Sequence, residues 1–431
     1  MKVVIMAGGK GTRISPVASD IPKPMIKIEG KPVLEHEIEC LRNQGFNDII
    51  LTVSHLGNII TDYFGDGSGI SPATNKTFGV NIEYYFEREP LGNAGALFKI
   101  KDKLTEDFLL LNADAMFDVD FNRFVNQHRR KGGLVTLFTH PNSHPYDSGL
   151  IIADERGAVQ QWLAKEDVRP EYYKNRVNAG LHVISPQVLY VDIKTPKIDL
   201  DRQLLKPLAG SGKMFVYDSS EYVKDMGTPE RYHIVCQDFA TGKVKARNLQ
   251  NKQRAVFLDR DGTINKYVGF LCKIDDFELI EGVAEAIRTI NELGYLVIVV
   301  TNQSVIARGD VSVEELQEIH NKMEVLLGKK GAYIDGIYYC PHHPHKGYEG
   351  ERPEFKIDCE CRKPKSGMLM KAAEDFNIDL TQSWMVGDGE NDIKAGIAAG
   401  CRTALIGQTE SKFSQNVSVD SLIEFVESVL K

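Results

Sequence analysis

The sequence lacks any apolar run long enough to cross a membrane. Its longest strand-like stretches are of the kind YLVIVV, residues 295–300, whereas a spanning helix needs roughly 18 or more apolar residues. The amino terminus, MKVVIMAGGKG, has the pattern of a strand and lacks the length and the cleavage site of a signal peptide. We therefore expect a cytoplasmic protein that has no membrane partner.

Basic residues are outnumbered by acidic ones, and cysteines are few. Lysine and arginine number 52 against 60 acidic residues, a net charge of −8, so the overall field argues against a general nucleic-acid binder. Seven cysteines spread through 431 residues do not suggest a disulfide framework. Any phosphate that the protein binds must then be held locally, by loops and metal ions.

A chain of 431 residues is long enough for two or three domains of about 100–200 residues each. In the first half, strands are predicted at 2–7, 48–54, 81–86 and 107–114, with a helix from Pro32 to Gly45. The apolar periodicity fades after Cys236 and restarts at 255–259, with further strands at 295–302 and 382–388 and helices at 282–294, 312–331 and 391–400. This alternation predicts two doubly wound, mainly parallel α/β domains, 1–236 and 254–431, joined by a linker at 237–253.

The first predicted strand runs directly into MAGGKGTR, residues 6–13. Glycines there let backbone N–H groups approach a polyphosphate, and Lys10 and Arg13 neutralise its charge. The loop matches neither the dinucleotide fingerprint nor the P-loop. Four further stretches follow in order, namely PKPM at 22–25, EPLGNAGAL at 89–97, NAD at 112–114 and VKDMGTPERY at 223–232.

This series resembles the sugar-1-phosphate nucleotidyltransferases over residues 1 to about 235. Members of that family couple a sugar 1-phosphate to a nucleoside triphosphate and release pyrophosphate, which requires alignment and charge neutralisation rather than a protein nucleophile. The resemblance implies that Asp114 and Asp225 hold Mg²⁺, that Lys23 holds the phosphates in the transition state, and that Lys165 grips the sugar phosphate. The residues that it implies for the triphosphate and the base are Gly8, Gly9, Gly11, Thr12, Arg13 and Gly92.

A second chemical motif, FLDRDGT, opens the second half at residues 257–263. It places Asp259 and Asp261 at the carboxyl end of a buried strand, where open α/β sheets bind ligands. One carboxylate can attack phosphorus to form an aspartyl-phosphate, and the other can protonate the leaving alcohol and then activate water. Three stretches follow in order, TNQS at 301–304, CRKP at 361–364 and GDGEND at 387–392.

These motifs resemble the haloacid dehalogenase phosphatases and, among them, the D,D-heptose 1,7-bisphosphate phosphatases and the related histidinol phosphatases, over residues 254–408. The resemblance implies that Asp259 is the nucleophile and Asp261 the general acid and base. Thr301 and Lys363 would stabilise the phosphoryl group, and Arg362 would recognise the substrate. The implied Mg²⁺ ligands are Asp259, the backbone oxygen of Asp261, and Asp388, and the implied substrate contacts are Tyr267, Val268, Gly269, Phe270, Asn302, Gln303 and Ser304.

Two close pairs of metal-ligand residues flank an irregular loop in the second half. Cys340 and His342 form one pair, and Cys359 and Cys361 form the other. Each pair supplies two ligands at once, which is the layout of a closed tetrahedral zinc site. Because the loop between them has almost no apolar content, we predict a structural Zn²⁺ that stabilises it.

Two such domains on one chain suggest consecutive steps. Loss of the C7 phosphate from a heptose 1,7-bisphosphate leaves a heptose 1-phosphate, the type of substrate that the first domain needs. We therefore expect a fused heptose 1,7-bisphosphate phosphatase and heptose 1-phosphate guanylyltransferase that uses GTP, as in the route to GDP-D-glycero-α-D-manno-heptose. Three alternatives are another sugar with CTP or UTP, a histidinol-phosphatase-like second domain, and a non-catalytic sugar-phosphate sensor. Homo-oligomerisation stays open.

Overall fold

A computed structural model describes residues 1–8, 21–54, 56–145, 148–195, 197–347, 349–407 and 413–431. The chain forms two compact units. The first consists of Met1–His140, Gly149–Ala164 and Asn178–Asn248, and the second consists of Pro141–Ser148, Lys165–Val177 and Leu249–Lys431. None of the described helices combines the length and the apolar character that crossing a membrane requires.

The first unit is built on a mixed sheet, with helices that alternate with its strands. The described strands are β1 Val3–Met6, β2 Lys27–Ile28, β3 Lys31–Pro32, β4 Asp48–Val53, β5 Asn81–Phe86, β6 Phe108–Asn112, β7 Ala115–Asp118, β8 Val135–His140, β9 Leu150–Ala153, β10 Val159–Leu163, β11 Val177–Ile184, β12 Met214–Asp218 and β13 Tyr222–Asp225. The described helices are α1 Val33–Arg42, α2 Gly57–Phe64, α3 Gly95–Ile100, α4 Phe121–Lys131, α5 Pro229–Ala240 and α6 Lys243–Ala246.

The main sheet of the first unit runs in the order β10-β9-β11-β6-β1-β4-β5; in addition, β8 pairs with β11, and β12 pairs with β8. Strands β6, β1, β4 and β5 pair in parallel, as the alternation predicted, whereas β11 pairs with β6 and β10 pairs with β9 in antiparallel fashion. In β1, Val3 and Ile5 enter one core while Val4 enters another. Both faces of the sheet are therefore covered, as in a doubly wound fold.

The predicted first helix begins one residue later than expected. Pro32 precedes α1 as its N-cap residue, in an extended conformation, and α1 begins at Val33. Its apolar positions, Leu34, Ile38 and Leu41, are buried as the helical spacing predicted. Residues 237–253, predicted as a linker, contain the end of α5 and the short helix α6.

The second unit is built on a parallel sheet. Its described strands are β14 Ala255–Leu258, β15 Leu296–Asn302, β16 Gly336–Cys340, β17 Trp384–Gly387, β18 Arg402–Ile406 and β19 Val417–Val419. Its described helices are α7 Val283–Glu292, α8 Ser304–Arg308, α9 Val313–Gly328, α10 Gly367–Phe376, α11 Glu390–Ala399 and α12 Leu422–Phe425. The strand order is β16-β15-β14-β17-β18-β19.

Strand β14 is central in that sheet and is buried on both faces. Val256 and Leu258 enter one core, and Ala255 and Phe257 enter the other. It pairs in parallel with β15 on one side and β17 on the other. Because parallel strands end at the same edge of a sheet, the residues that follow these three strands are brought together.

Two segments from the first half of the sequence also belong to the second unit. Within this unit, the Arg176 guanidinium donates to Glu324 Oε2 at 3.3 Å and to the Asp335 carbonyl at 3.0 Å. The Asn175 backbone N–H donates to the same Glu324 oxygen at 2.9 Å. Arg176 and Glu324 are both buried, so this ion pair lies in the interior of the unit.

Candidate active sites

Lys23 is the centre of the candidate site in the first unit. It begins a short 3₁₀ turn, Lys23–Met25, whose following residues Pro24 and Met25 are buried. The Lys23 ammonium lies 2.7 Å from Asp114 Oδ2 and 3.4 Å from Asp225 Oδ1. The structure therefore brings together three of the residues that the motifs singled out.

The two carboxylates meet because of strand pairing. Asp114 lies between β6 and β7, and Asp225 ends β13, where it pairs with Ala115 of β7 in an antiparallel register. The side chains of Asp114 and Asp225 are 45% and 44% exposed, while Lys23 is 8% exposed. Two half-exposed carboxylates that converge on one buried cation have the oxygen donors that Mg²⁺ prefers, so they fit the predicted metal.

Arg231 is a member of this site that the sequence reasoning missed. Its Nη1 lies 2.5 Å from Asp225 Oδ2. Arg231 is in the first turn of α5, where its backbone N–H donates to the N-cap hydroxyl of Thr228. The signal was available, because Arg231 lies inside the quoted stretch VKDMGTPERY, eight residues after its start.

The glycine-rich loop before α3 is tied to the segment around Ile198. Gly92 has φ +81, and a Cβ there would lie 2.3 Å from the Ile198 carbonyl oxygen. The Asn93 side-chain oxygen accepts from the Leu200 backbone N–H at 2.7 Å. Glycine at position 92 is therefore required both by the backbone conformation and by a close backbone neighbour. Its role in contacting the base remains a prediction.

The phosphate loop itself is described only at its start. The Ser54 hydroxyl donates to the Gly8 carbonyl at 2.6 Å, so the end of β4 holds the beginning of the loop. Gly9, Gly11, Thr12 and Arg13, together with Lys10, lie outside the described residues. Lys165 is exposed and belongs to the second unit, whereas Lys23 belongs to the first.

In the second unit, Lys363 binds two carboxylates at the carboxyl edge of the sheet. Its ammonium lies 2.8 Å from Asp259 Oδ1 and 2.5 Å from Asp392 Oδ1, and it donates to the Val300 carbonyl at 2.8 Å. Lys363 is 2% exposed, Asp259 14% and Asp392 4%. The structure thus places Lys363 and Asp259 in direct contact.

The electrostatics of this cluster are set by burial. Burial raises the pKa of Asp259 to about 6, since the pull of Lys363 in the opposite direction only partly offsets it. Burial and then the neighbouring Asp259 raise the pKa of Asp388 to about 6. Burial alone would lower the pKa of Lys363, but the carboxylates of Asp259 and Asp392 outweigh it and raise that pKa to about 12.

The same acids form a candidate cation site. Carboxylate oxygens of Asp259, Asp388 and Asp392 lie within 4.8 Å of one another. Both oxygens of Asp392 are engaged, Oδ1 by Lys363 and Oδ2 by the Gly389 N–H at 3.1 Å, whereas Lys363 contacts Asp259 through Oδ1. Asp259 and Asp388 are therefore the better placed oxygen donors for a cation. Such a set of oxygen donors fits Mg²⁺. A Cβ on Gly262 would lie 2.1 Å from Asp388 Oδ2, so the glycine of DGT makes room for this carboxylate.

The TNQS residues are held by protein partners. The Gln303 amide donates at 2.8 Å to the Thr301 hydroxyl and at 2.8 Å to Asp261 Oδ2. The Asn302 side chain bonds to both the N–H and the C=O of Lys363, each at 3.0 Å. Ser304 begins α8. The amides of Gln303 and Asn302 therefore brace the site, and their contacts with substrate stay a prediction.

Exposed hydrophobic residues follow the FLDRDGT motif. Tyr267, Val268 and Phe270 are 70%, 49% and 56% exposed, and Gly269 between them has φ +78. The Arg308 guanidinium lies over the Phe270 ring, 4.1 Å from its centroid. This arrangement is compatible with the predicted substrate contact, which stays a prediction.

The four predicted zinc ligands converge. The Sγ atoms of Cys340, Cys359 and Cys361 are 3.2–3.5 Å apart, and His342 Nδ1 lies 3.3 Å from Cys361 Sγ and 3.8 Å from Cys340 Sγ. A tetrahedron with zinc–sulfur bonds of about 2.3 Å has edges of about 3.8 Å. All three cysteines are free thiols. The donor set and its spacing therefore fit Zn²⁺, and Arg362 adjoins it by donating to the His342 carbonyl at 3.0 Å.

Two further residues of the second site escaped the sequence reasoning. Arg260, between the two aspartates, is fully buried and contacts Asp261, Gln303 and His320. The position of Arg260 inside the motif could have drawn attention to it, whereas its contacts could not be inferred from the sequence. His320 had no local signal, because it comes 60 residues later in the chain and sits in an ordinary amphipathic helix.

Comparisons with known proteins identify related families for the two halves of the chain. A family model described as nucleotidyl transferase matches residues 2–241, and a HAD-hydrolase-like model matches residues 360–417. A D-glycero-β-D-manno-heptose-1,7-bisphosphate 7-phosphatase from Haemophilus influenzae is 47% identical over 156 residues, 36% of this chain and 82% of the relative. A protein of the same description from Haemophilus ducreyi is 43% identical over 181 residues, 40% of this chain and 97% of the relative.

Among solved structures, HddC from Yersinia pseudotuberculosis is similar at 26% identity. The match covers 55% of this chain and 99% of that one, with a TM-score of 0.46.

A nucleotidyltransferase domain and a HAD-type phosphatase domain therefore occur on one chain. The chain belongs to the nucleotidyl transferase family through residues 2–241 and, through its second half, to the family of the two Haemophilus phosphatases.

Proposed function

We propose that the second unit removes the C7 phosphate of D-glycero-D-manno-heptose 1,7-bisphosphate. The first unit then transfers a guanylyl group from GTP to the resulting heptose 1-phosphate and releases pyrophosphate. The observation that carries the proposal is the buried contact of Asp259 with Lys363 in a unit whose relatives are described as heptose bisphosphate 7-phosphatases. The choice of GTP as the nucleotide rests on the pairing of a phosphatase with a nucleotidyltransferase, which resembles the route to GDP-D-glycero-α-D-manno-heptose.

In the phosphatase reaction, Asp259 attacks the phosphorus of the C7 phosphate. Lys363 neutralises charge on the transferred group and holds Asp259 Oδ1 at 2.8 Å, while the Thr301 hydroxyl supplies a further donor. Asp261 gives a proton to the departing C7 oxygen and then takes one from the water that hydrolyses the aspartyl-phosphate. Mg²⁺ held by Asp259 and Asp388 would neutralise phosphoryl charge when it is bound.

In the transferase reaction, the anomeric phosphate is the nucleophile and the protein aligns it with the α-phosphorus of the nucleotide. Lys23 binds the phosphate oxygens as charge develops on them. Asp114 and Asp225 would hold Mg²⁺, which would neutralise charge on the triphosphate when it is bound. Arg231 orients Asp225 through its 2.5 Å contact.

A structural Zn²⁺ is proposed for Cys340, His342, Cys359 and Cys361, since their spacing fits a closed tetrahedral site. The metal would fix the segment that leads directly into Arg362 and Lys363. We therefore expect zinc to stabilise the phosphatase site rather than to take part in the reaction.

The test supplies the intact protein with each anomer of the heptose 1,7-bisphosphate, Mg²⁺ and one nucleoside triphosphate at a time. Orthophosphate, pyrophosphate and nucleotide-sugar are measured. The proposal predicts orthophosphate with or without nucleotide, and pyrophosphate together with GDP-heptose when GTP is present. An equal or faster reaction with CTP or UTP would contradict GTP as the preferred nucleotide. A reaction only with another sugar phosphate would contradict the heptose as the substrate.

A further inference from the structure

Arg260, between the two aspartates of FLDRDGT, is bound to the second of them. Arg260 is among the largest fully buried side chains of the described chain, at 0% exposure. Its Nη2 lies 2.9 Å from Asp261 Oδ1 and 2.8 Å from Asp261 Oδ2, and its Nε lies 3.2 Å from Oδ1. A buried guanidinium is stable only when its charge is paired and its N–H groups are bonded. Asp261 supplies the paired charge.

The other bonds of Arg260 reach two residues that are distant in sequence. Nη2 also donates to Gln303 Oε1 at 3.0 Å, and Nη1 lies 3.2 Å from His320 Nε2. Because arginine has only donors, His320 Nε2 must accept and the imidazole must be neutral. Burial, and then the Arg260 charge, lower the pKa of His320 well below its ordinary value, in agreement with the neutral form.

Gln303 closes the network on the side of the phosphate. Its amide nitrogen donates to Asp261 Oδ2 and to the Thr301 hydroxyl, each at 2.8 Å. Asn265 adds a donation to Asp261 Oδ1 at 3.0 Å. Both Asp261 oxygens are thus held by residues of the β14 loop and of the β15 end, and helix α9 contributes only indirectly, through the contact of His320 with Arg260.

We propose that Arg260, Gln303 and His320 are positioning residues that hold Asp261 in the orientation needed for proton transfer at the C7 oxygen. This inference rests on the proposed phosphatase function. In the first step, an Asp259 oxygen bonds to phosphorus, the phosphorus–O7 bond breaks, and O7 takes the proton of Asp261, which becomes the carboxylate that Arg260 pairs. In the second step, a water oxygen bonds to phosphorus, its proton passes to Asp261, and the phosphorus–Asp259 bond breaks.

Displacing Asp261 should affect only the chemical steps in which Asp261 gives or takes a proton. Departure of a sugar alkoxide requires the proton, whereas departure of a p-nitrophenolate does not, because that anion is already stable near neutral pH. Hydrolysis of the aspartyl-phosphate requires the base with either substrate. Misplacing Asp261 therefore slows both steps for the sugar phosphate but only the second step for the aryl phosphate.

The experiment compares His320→Leu, His320→Gln and Gln303→Met with the wild-type protein. The glutamine at position 320 can accept from Arg260 in place of Nε2, whereas leucine cannot. For the bisphosphate, we expect kcat to fall on the order of 100-fold in His320→Leu and Gln303→Met. In His320→Leu, KM should stay within about 3-fold, since no residue with a predicted substrate contact is changed. His320→Gln should recover most of kcat.

With p-nitrophenyl phosphate, His320→Leu and Gln303→Met should release about one p-nitrophenolate per site in a rapid burst, followed by slow turnover. Ile319→Val, a buried change in the same helix, serves as the control for general loosening of α9 and should keep wild-type kcat. Circular dichroism establishes that each variant is folded.

Three outcomes would overturn the inference. They are wild-type kcat in folded His320→Leu and Gln303→Met, equal losses in His320→Leu and His320→Gln, and equal slowing of the burst and of the sugar phosphate reaction. Failure of the wild-type protein to release phosphate from the bisphosphate would instead contradict the proposed function. The two failures are therefore distinguishable.

Discussion

The two phosphate sites of this chain differ in how far their charged groups are buried. In the first unit, Lys23 is 8% exposed, but its partners Asp114 and Asp225 are 45% and 44% exposed. In the second, Lys363, Asp259 and Asp392 are 2%, 14% and 4% exposed. One site presents its acids to solvent, and the other encloses them.

The difference follows from the chemistry proposed for each site. A nucleotidyl transfer joins two phosphates that come from solution, so its acids must be reachable by a polyphosphate and its cation. A phosphatase that passes through an aspartyl-phosphate needs a nucleophile in a fixed place, and burial strengthens its electrostatic interactions. An open, alignment-based site and a closed, covalent site are therefore expected on the same chain.

The largest effect is expected for Asp259→Asn, which removes the nucleophile. Orthophosphate release from the bisphosphate should fall by roughly 10⁴-fold or more, while pyrophosphate release from heptose 1-phosphate and GTP stays near the wild-type rate. The measurement is a paired assay of both products. Asp420→Asn, at an exposed position, is the control. Loss of both activities in a folded protein would contradict the separation of the two chemistries.

The converse change, Asp114→Asn, should lower pyrophosphate release on the order of 100-fold, because a carboxylate that contacts Lys23 and is proposed to hold Mg²⁺ is lost. Orthophosphate release should continue, so heptose 1-phosphate should accumulate in place of nucleotide-sugar. Asp102→Asn, an exposed position in the same unit, is the control. A normal rate of nucleotide-sugar formation would remove Asp114 from the site.

The third expected effect concerns the zinc cluster. Elemental analysis should find about one zinc per chain, and Cys359→Ser should lower that content. The melting temperature of the second unit should drop by roughly 5 °C or more as the loop loses its metal. Cys236→Ser, in the first unit, should keep the zinc. A zinc-free protein that is fully active and equally stable would exclude a structural metal.

The smallest effect is expected at Gly92, where conformation and close packing act together. Gly132→Ala tests conformation alone, since its φ is +65 and nothing lies within 4 Å of the new Cβ. It should lower the free energy of unfolding by about 1 kcal/mol. Gly92→Ala should cost at least about 2 kcal/mol because the Ile198 carbonyl also clashes, and it should raise KM for the nucleotide. Equal losses of unfolding free energy in Gly92→Ala and Gly132→Ala, measured by urea denaturation, would show that the clash is relieved.

Much of the fold was predictable because it depends on local pattern. The 3.6-residue spacing of Leu34, Ile38 and Leu41 predicted α1, and the strand at 81–86 was predicted with the bounds that the structure has. The antiparallel strands β9–β11 were not predicted, because pairing direction is set by contacts between segments far apart in sequence. The helices within 237–253 were missed because their apolar positions are few.

By itself, the sequence determined which residue types stand at the ends of which strands. The order of the motifs, through their resemblance to two phosphate-handling families, was enough to single out Lys23, Asp114 and Asp225, and to single out Asp259 and Lys363. It also predicted the convergence of Cys340, His342, Cys359 and Cys361, since each close pair limits where its two ligands can lie.

Tertiary structure alone decided what surrounds those residues. The exposure of Asp114 and the enclosure of Asp259 depend on how strands pair and which helices cover them. The contact of Arg260 with His320 joins residues 60 positions apart, and local periodicity carries no information at that distance. A buried guanidinium must find its partners wherever the folded chain supplies them, so those partners became visible only in the folded structure.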